Sequence, residues 1–441
     1  MGFLDESLER GSSLKPDVIA CDAGSTDSGP FYLGSATPKM SRSAILQDVR
    51  RLLLARDQLK IPLIIGSCGT SGVDSGVEWM REMTLEIARE EYLSFKLGRV
   101  YSEQNPKLMA EAFQSGKIEP LPEAPEIDEQ IIQNCSHIVA MMGHEPIVHL
   151  LEEKCDVILC GRASDTALFA ALPLMHGFPA GPVWHCAKTI ECGAICSTAT
   201  GADGVYAEID DKSFTVEPLA LDAACTPHSL ASHTLYENAD PYLIREPSGT
   251  LDTQKASYLA ISERVTRVEG SEFYPERYTL KLEGAAFSGF QTVAIGGVRD
   301  PYILAQVDSW LAEMKLFFAE RLKELTGKTL GEEVQIDISQ YGRNAVMGKL
   351  EPLLEQIPHE LGLLFTVTAP EQTLANDVAR FVTHAASHWP ISEWDGFISG
   401  IAFPFSPPEI DRGPVYRFTL NHVLIPESPL SAFRFEVEDF Q

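Results

Sequence analysis

The feature that most constrains this chain is a short apolar run that stops at glycine and passes at once into a polar turn and an apolar helix. It reads Asp156-Val-Ile-Leu-Cys-Gly-Arg-Ala-Ser-Asp-Thr-Ala-Leu-Phe-Ala-Ala171. Val157–Cys160 contains no polar residue, the signature of a strand buried on both faces. Gly161 ends it, and Ser164 or Asp165 is placed to cap the helical run from Ala167. The same grammar appears four times upstream. Asp17–Cys21 runs into Asp22-Ala-Gly-Ser-Thr-Asp-Ser-Gly-Pro30, and Pro62–Gly66 into Ser67-Cys-Gly-Thr-Ser-Gly-Val-Asp74. Phe95–Val100 runs into Tyr101-Ser-Glu-Gln104, and Ile138–Met142 into Gly143-His-Glu-Pro146. Five strands alternating with helices predict a Rossmann-like parallel sheet over residues 1–210, with a site along its carboxyl edge.

Beyond Phe178 the texture changes to alternating short segments, such as Gly204–Ile209, Ser213–Glu217 and Tyr278–Leu282, followed by an amphipathic helix from Pro301 to Leu325. This predicts an α+β region over residues 211–358. A strand at Leu363–Thr368 and a helix opened by Pro370 come next. Three further strands are expected at Gly396–Phe403, Val415–Val423 and Ala432–Val437. A β-α-β-β-β order predicts a small ferredoxin-like domain over residues 359–441.

The 63 acidic residues outnumber the 35 Lys and Arg, for a net charge of -28. That excludes nucleic acid and anionic membrane as expected partners. A small anion remains compatible, because one Arg or one helix N-terminus binds it locally. No window of 18 apolar residues and no secretory leader is seen, so a cytoplasmic chain is expected. Nine cysteines without a Cys-x-x-Cys pair fit a reducing compartment better than a disulfide framework. Cys225, His228 and His233 match no zinc spacing, so no metal is expected. Homo-oligomerisation is the prior for a chain of this kind.

Candidate site residues come from the strand ends. Gly66, Ser67, Gly69 and Gly72 make a small-residue loop before a helix, the composition of an anion cradle, although no Lys follows as in a P-loop. Asp22, with Ser25 behind it, stands where a carboxylate acts as a base or orients a hydroxyl. His144 and Glu145 follow the expected fourth strand and are candidates for proton transfer. Arg162 is a candidate carboxylate clamp, with Ser164 and Asp165 beside it. Glu191 lies between Lys188 and Cys192, where either a shifted pKa or an ion pair is expected. Arg343 is a further, weaker clamp candidate.

Several long motifs together resemble the acyclic terpene utilisation (AtuA-like) family. They are Cys21-Asp-Ala-Gly-Ser-Thr-Asp, Met141-Met-Gly143 with Glu145-Pro146, Gly161-Arg-Ala-Ser-Asp-Thr, Ala231-Ser-His-Thr-Leu-Tyr-Glu-Asn-Ala-Asp240, Glu246-Pro-Ser-Gly-Thr-Leu-Asp252 and Phe403-Pro-Phe-Ser-Pro-Pro-Glu-Ile-Asp-Arg-Gly-Pro-Val-Tyr416. The resemblance implies metabolism of small branched carboxylic acids or their acyl-CoA esters. No cofactor is implied; CoA enters as part of a substrate. The second loop departs from the Gly-Gly-Ala-Gly-Gly-Asp expected of relatives, being bulkier at Cys68-Gly-Thr-Ser-Gly-Val-Asp74. The first expectation is a lyase or hydratase abstracting a proton beside a carboxylate or thioester, with Asp22 or Glu145 as base and Asp165 or His144 returning the proton. Alternatives are an acyl-CoA transferase or isomerase, with Glu145 or Glu191 as nucleophile, and a non-catalytic partner subunit.

Overall fold

The computed structural model describes residues 2–201, 203–236, 238–392 and 399–441. It is a mixed α/β protein with several sheets, one of them mainly parallel. The chain divides into two compact units, residues 1–286 with 418–441, and residues 287–417. The expected boundaries after 210 and 358 fall inside these units.

In the first unit the main sheet runs Ile19–Asp22, Leu63–Gly66, Val157–Cys160, Phe95–Tyr101 and Arg434–Phe440. The first four are mutually parallel, and the last pairs antiparallel with Phe95–Tyr101. Both faces are covered, which is why Leu63–Gly66 and Val157–Cys160 read as unbroken apolar runs. Leu63, Ile65, Val157 and Leu159 pack with Leu53, Val77, Met80 and Met83. Ile64, Ile158 and Cys160 point the other way, toward Ile147, Leu168 and Trp184. The unit also holds two small antiparallel sheets, one of three strands around Gly249–Asp252 and one of four around Ser213–Pro218 and Thr266–Glu269.

One expected strand lies elsewhere. Cys135–Ala140 is not a member of the parallel sheet; it pairs antiparallel with Leu280–Val298, Ala140 opposite Leu282 and Val139 opposite Glu283. An apolar run does not encode its partner, and this one found an antiparallel neighbour far along the chain. Its continuation still reaches the sheet's carboxyl edge, because Met142 bridges Ala163 in parallel. That bridge puts His144 and Glu145 beside Arg162–Asp165.

In the second unit, elements follow the order β-α-β-β-α-β: the latter part of Leu280–Val298, Val307–Thr326, Gln335–Tyr341, Leu361–Ala369, Gln372–Ser387 and the first part of Ile410–Leu424. The Leu361–Ala369 strand alternates buried and half-buried residues. Its Leu361, Leu363, Phe365 and Val367 pack with Trp310, Met314 and Phe318 and with Val378 and Val382 of the two helices. The single helix expected from Pro301 is two, Pro301–Ala305 and Val307–Thr326, broken at Gln306. The strand expected at Gly396–Phe403 begins outside the described residues. The last strand expected in this region, at Ala432–Val437, is Arg434–Phe440 in the first unit's main sheet.

The second loop shows why its glycines are there. Every residue from Leu63 to Val73 is buried. A Cβ on Gly72 would lie 2.1 Å from the Arg162 nitrogen, and its φ is +69°. Gly72→Ala is therefore expected to destabilise the protein by at least about 2 kcal/mol, a clash added to left-handed strain. Gly177 has a similar φ of +82° but open space around it, so Gly177→Ala should cost only about 1 kcal/mol. Urea unfolding of the two variants measures both, and equal costs would contradict the packing argument.

Candidate functional site

The carboxyl ends of three parallel strands converge on Arg162. Its backbone is held first: its amide donates to the Ser102 hydroxyl at 2.6 Å and to the Gly72 carbonyl at 3.2 Å. Its guanidinium, only 5% exposed, then donates to Glu283 at 2.9 Å, the Ala163 carbonyl at 2.9 Å, and the Ser67 hydroxyl and Asp165 at 3.2 Å each. Glu283 is equally buried and also accepts from Lys281 at 3.0 Å. Burial alone would raise the Glu283 pKa, but Arg162 and Lys281 outweigh it and hold the carboxyl at about 2. Arg162 is raised in turn, burial being outweighed by Glu283 and Asp165. Its charge is matched inside the protein.

Asp22 ends the first strand with Oδ1 shut off from solvent. Desolvation and then the Asp165 charge push its pKa up to about 8, against the opposing pull of Arg162, the Ser67 hydroxyl and the Gly24 amide. Asp165 opens the helix Asp165–Met175 and is half-buried, its side chain 25% accessible.

Glu246 stands against the same helix start. It accepts from Thr166 at 2.6 Å and Ser164 at 2.8 Å. Desolvation pushes it up to about 7, although these hydroxyls and Lys188 pull the other way. Ser164 occupies the N-cap position but makes no side-chain cap bond; its hydroxyl holds Glu246 instead. Beyond it, Lys188 is bonded to Glu191, the side chains 7% and 5% exposed. Burial raises the Glu191 carboxyl to about 8 despite that partner, with Asp165 and Glu246 adding to the rise.

His144 and Glu145 form an adjoining pair. The Tyr278 hydroxyl donates to Glu145 at 3.0 Å, and burial raises the Glu145 carboxyl. A Cβ on Gly143 would sit 2.6 Å from the Glu145 carboxylate and 3.0 Å from the Tyr278 hydroxyl, so a side chain there would have to displace this pair. The His144 ring meets Trp184 edge-on, and Trp184 stacks on Phe273 at 5.6 Å. Burial drops His144 to about 4, so at neutral pH it lacks the second proton expected of a general acid.

The structure thus brings Asp22, Ser67, Arg162, Ser164, Asp165 and Glu191 into one neighbourhood, with His144 and Glu145 following from the Met142 bridge. Ser25 is engaged locally, its hydroxyl donating to Asp27 at 2.8 Å. The second loop is not an open cradle: the amides of Ser67 and Cys68 donate to the carbonyls of Gly161 and Cys160. Gly66 and Gly69 are packing positions like Gly72, a Cβ on each meeting Leu168 at 2.3 Å and the Gly76 Cα at 2.5 Å. Arg162 holds protein carboxylates where a substrate clamp was expected. Arg343 is paired with Asp308. Glu246, Glu283 and Ser102 were missed by sequence reasoning. Glu246 carried a signal, standing first in a quoted motif; Glu283, inside a strand, carried none.

A family model described as acyclic terpene utilisation family protein AtuA matches residues 64–392. That span contains Arg162, Asp165, Glu246 and Glu283 and leaves Asp22 outside it. Comparison with curated proteins and with solved structures gave no match.

Removing Glu283 leaves Arg162 short of its closest counter-charge in a buried setting. Glu283→Gln is expected to cost about 3–5 kcal/mol in urea unfolding at pH 7. The pH dependence has a definite sign. A carboxyl lowered from 4.5 to about 2 stabilises the fold fully above pH 4.5, and loses that contribution as pH falls toward 2. The stability gap between wild type and variant should close over that window, and a gap constant from pH 7 to 3 would refute the pairing.

Proposed function

The chain belongs to the acyclic terpene utilisation family, and from that premise we propose that it is a lyase or hydratase moving a proton beside the thioester carbonyl of a small branched acyl-CoA. One observation carries the reading: two carboxyls at one sheet edge, Glu246 and Asp22, have pKa values pushed up to about 7 and about 8 by burial. Between those values Glu246 is ionised and Asp22 is protonated. That is the state a base and an acid need to act in the same turnover.

In the dehydrating direction, Glu246 removes the proton α to the thioester carbonyl. The Cα–Cβ double bond forms as the β carbon–oxygen bond breaks, and the departing oxygen takes the Asp22 proton to leave as water. Asp165, half-buried near both, adds its charge to the rise of both carboxyls. The roles first expected are thereby rearranged: Asp22 returns the proton, and the base is a residue of the Glu246-Pro-Ser-Gly motif.

Charge selects the thioester over the free acid. Arg162 and Lys281 are bonded to Glu283 and Lys188 to Glu191, so these three local cations are matched by protein carboxylates. A substrate carboxylate would meet Asp165, Glu191 and Glu246 without a cation of its own. A thioester carbonyl brings no charge, and its α-proton is the more acidic. In fold terms, the four parallel strands with helices on both faces support a Rossmann-like reading of that layer, and the β-α-β-β-α-β order of residues 287–417 supports a ferredoxin-like one.

The test is a panel of short branched β-hydroxyacyl-CoA thioesters and the matching free hydroxy acids, run by thermal shift and by exchange of the α-proton in heavy water through reversible dehydration. A thioester at a hundredfold over its dissociation constant should stabilise the protein by about 3 kcal/mol. Exchange should follow a bell with limbs at pH about 7 and about 8. Glu246→Gln should keep the stabilisation and slow exchange about 10²–10⁴-fold. Asp22→Asn should remove the falling limb. Stabilisation by free acids alone would refute the thioester, and no shift with any ligand would favour a non-catalytic partner role.

A further inference from the structure

We propose that Glu191, Cys192 and His233 form a zinc-class metal site, binding the ion through one carboxylate oxygen, one thiolate and one imidazole nitrogen. The ligand atoms of these three residues all lie within 4.8 Å of one another. Tetrahedral zinc with bonds of 2.0–2.3 Å places its ligands about 3.5 Å apart, so side-chain rotations of the order of an ångström close the set. Among the described residues no other trio of His, Cys, Asp and Glu is gathered this closely.

A second observation points to the same spot. His233 is 5% exposed, and its Nε2 is buried with no hydrogen-bond partner. A buried ring nitrogen without a partner is costly. The ring stacks on Tyr236 at 5.8 Å with planes 18° apart, which fixes the ring plane, and Nε2 is left without a partner. A metal ion supplies what the nitrogen lacks, an acceptor for its lone pair.

The backbone explains how three residues from two segments meet. Glu191 is the C-cap of the helix Ala180–Ile190, and Cys192 the N-cap of the single turn Gly193–Cys196. These two neighbours project from the junction of two helical segments, and His233 comes from the last turn of Pro227–Thr234. Lys188 bonds one Glu191 oxygen, Oε1; a carboxylate has a second, and that is the oxygen the ion takes. Ion and ammonium then share the carboxylate, with Asp165 and Glu246 supplying further negative charge nearby. The donor set of nitrogen, sulfur and oxygen is that of zinc with three protein ligands, and such sites keep a fourth position for water or substrate. The proposal stands independently of the proton-transfer reading, since binding is measured without turnover.

The experiment uses the full-length protein, stripped with a chelator, dialysed, and titrated with Co²⁺ and with Zn²⁺. One metal per chain is expected. The cobalt form should show visible d–d bands of a tetrahedral ion and a near-ultraviolet thiolate-to-cobalt charge-transfer band. Cys192→Ser should abolish the charge-transfer band, and His233→Gln should weaken zinc binding at least tenfold. Cys225→Ser, a buried cysteine outside the trio, should leave the spectrum unchanged. Circular dichroism checks the fold of each variant; should His233→Gln fail to fold, the wild-type and Cys192→Ser spectra decide. No retained zinc at micromolar concentration, or a charge-transfer band surviving Cys192→Ser, overturns the site.

Discussion

The buried ion pair between Arg162 and Glu283 is the interaction on which the candidate site depends. Neither charge is tolerable at that depth alone, because desolvation costs several kcal/mol per ion. Each is stable only when the other is in place, so the pair acts as a register lock. Arg162 sits just past the end of a parallel strand, and Glu283 lies within an antiparallel strand more than a hundred residues away. Bringing them together fixes the Val157–Cys160 strand end, the Ser67 loop and the Leu280–Val298 strand in one arrangement. It also aligns Asp165, which accepts from the same guanidinium.

Matching Arg162 internally has a chemical result. The sheet edge keeps more carboxyl groups than cations, and little solvent screens them. A protein answers that imbalance by holding some carboxyls neutral, by offering them hydroxyl donors, or by admitting a cation. The first two are visible at Asp22 and Glu246, the second through Ser164 and Thr166. The third is what a metal at Glu191, Cys192 and His233 would add.

Much of the layer that carries the site was legible in local sequence, because strand, glycine, turn and cap are all near-neighbour signals. Val157–Cys160 through Asp165 was readable for that reason, as was Leu63–Gly66. Failures came where pairing is non-local. Ile138–Met142 read as one more parallel strand because nothing in an apolar run names its partner. Glu283 was invisible because a single acid in an alternating strand reads as solvent-facing; its burial depends on an arginine from another segment. The glycines of the second loop suggested a ligand cradle, yet Gly72 and Gly69 answer to backbone contacts that no spacing rule expresses. The Glu191–Cys192–His233 grouping escaped for a related reason, since zinc spacing rules look for a spaced pair of ligands in each segment and here His233 stands alone in its own.

The Arg434–Phe440 strand sets the order in which this molecule can be made. Until it emerges from the ribosome, Phe95–Tyr101 is an uncovered strand with a row of unpaired amides and carbonyls, the feature that invites pairing with another chain. Residues 287–417 are contiguous but end only 17 residues before that strand begins, so they gain little lead over it during synthesis. The nascent first unit therefore spends the synthesis of more than three hundred residues with an open edge, a long-range closure that slows folding and exposes the chain to aggregation. Arg434 is exposed and Glu436 half-buried in the folded protein, and both are charged residues of the kind that blunt an edge strand against pairing with another chain.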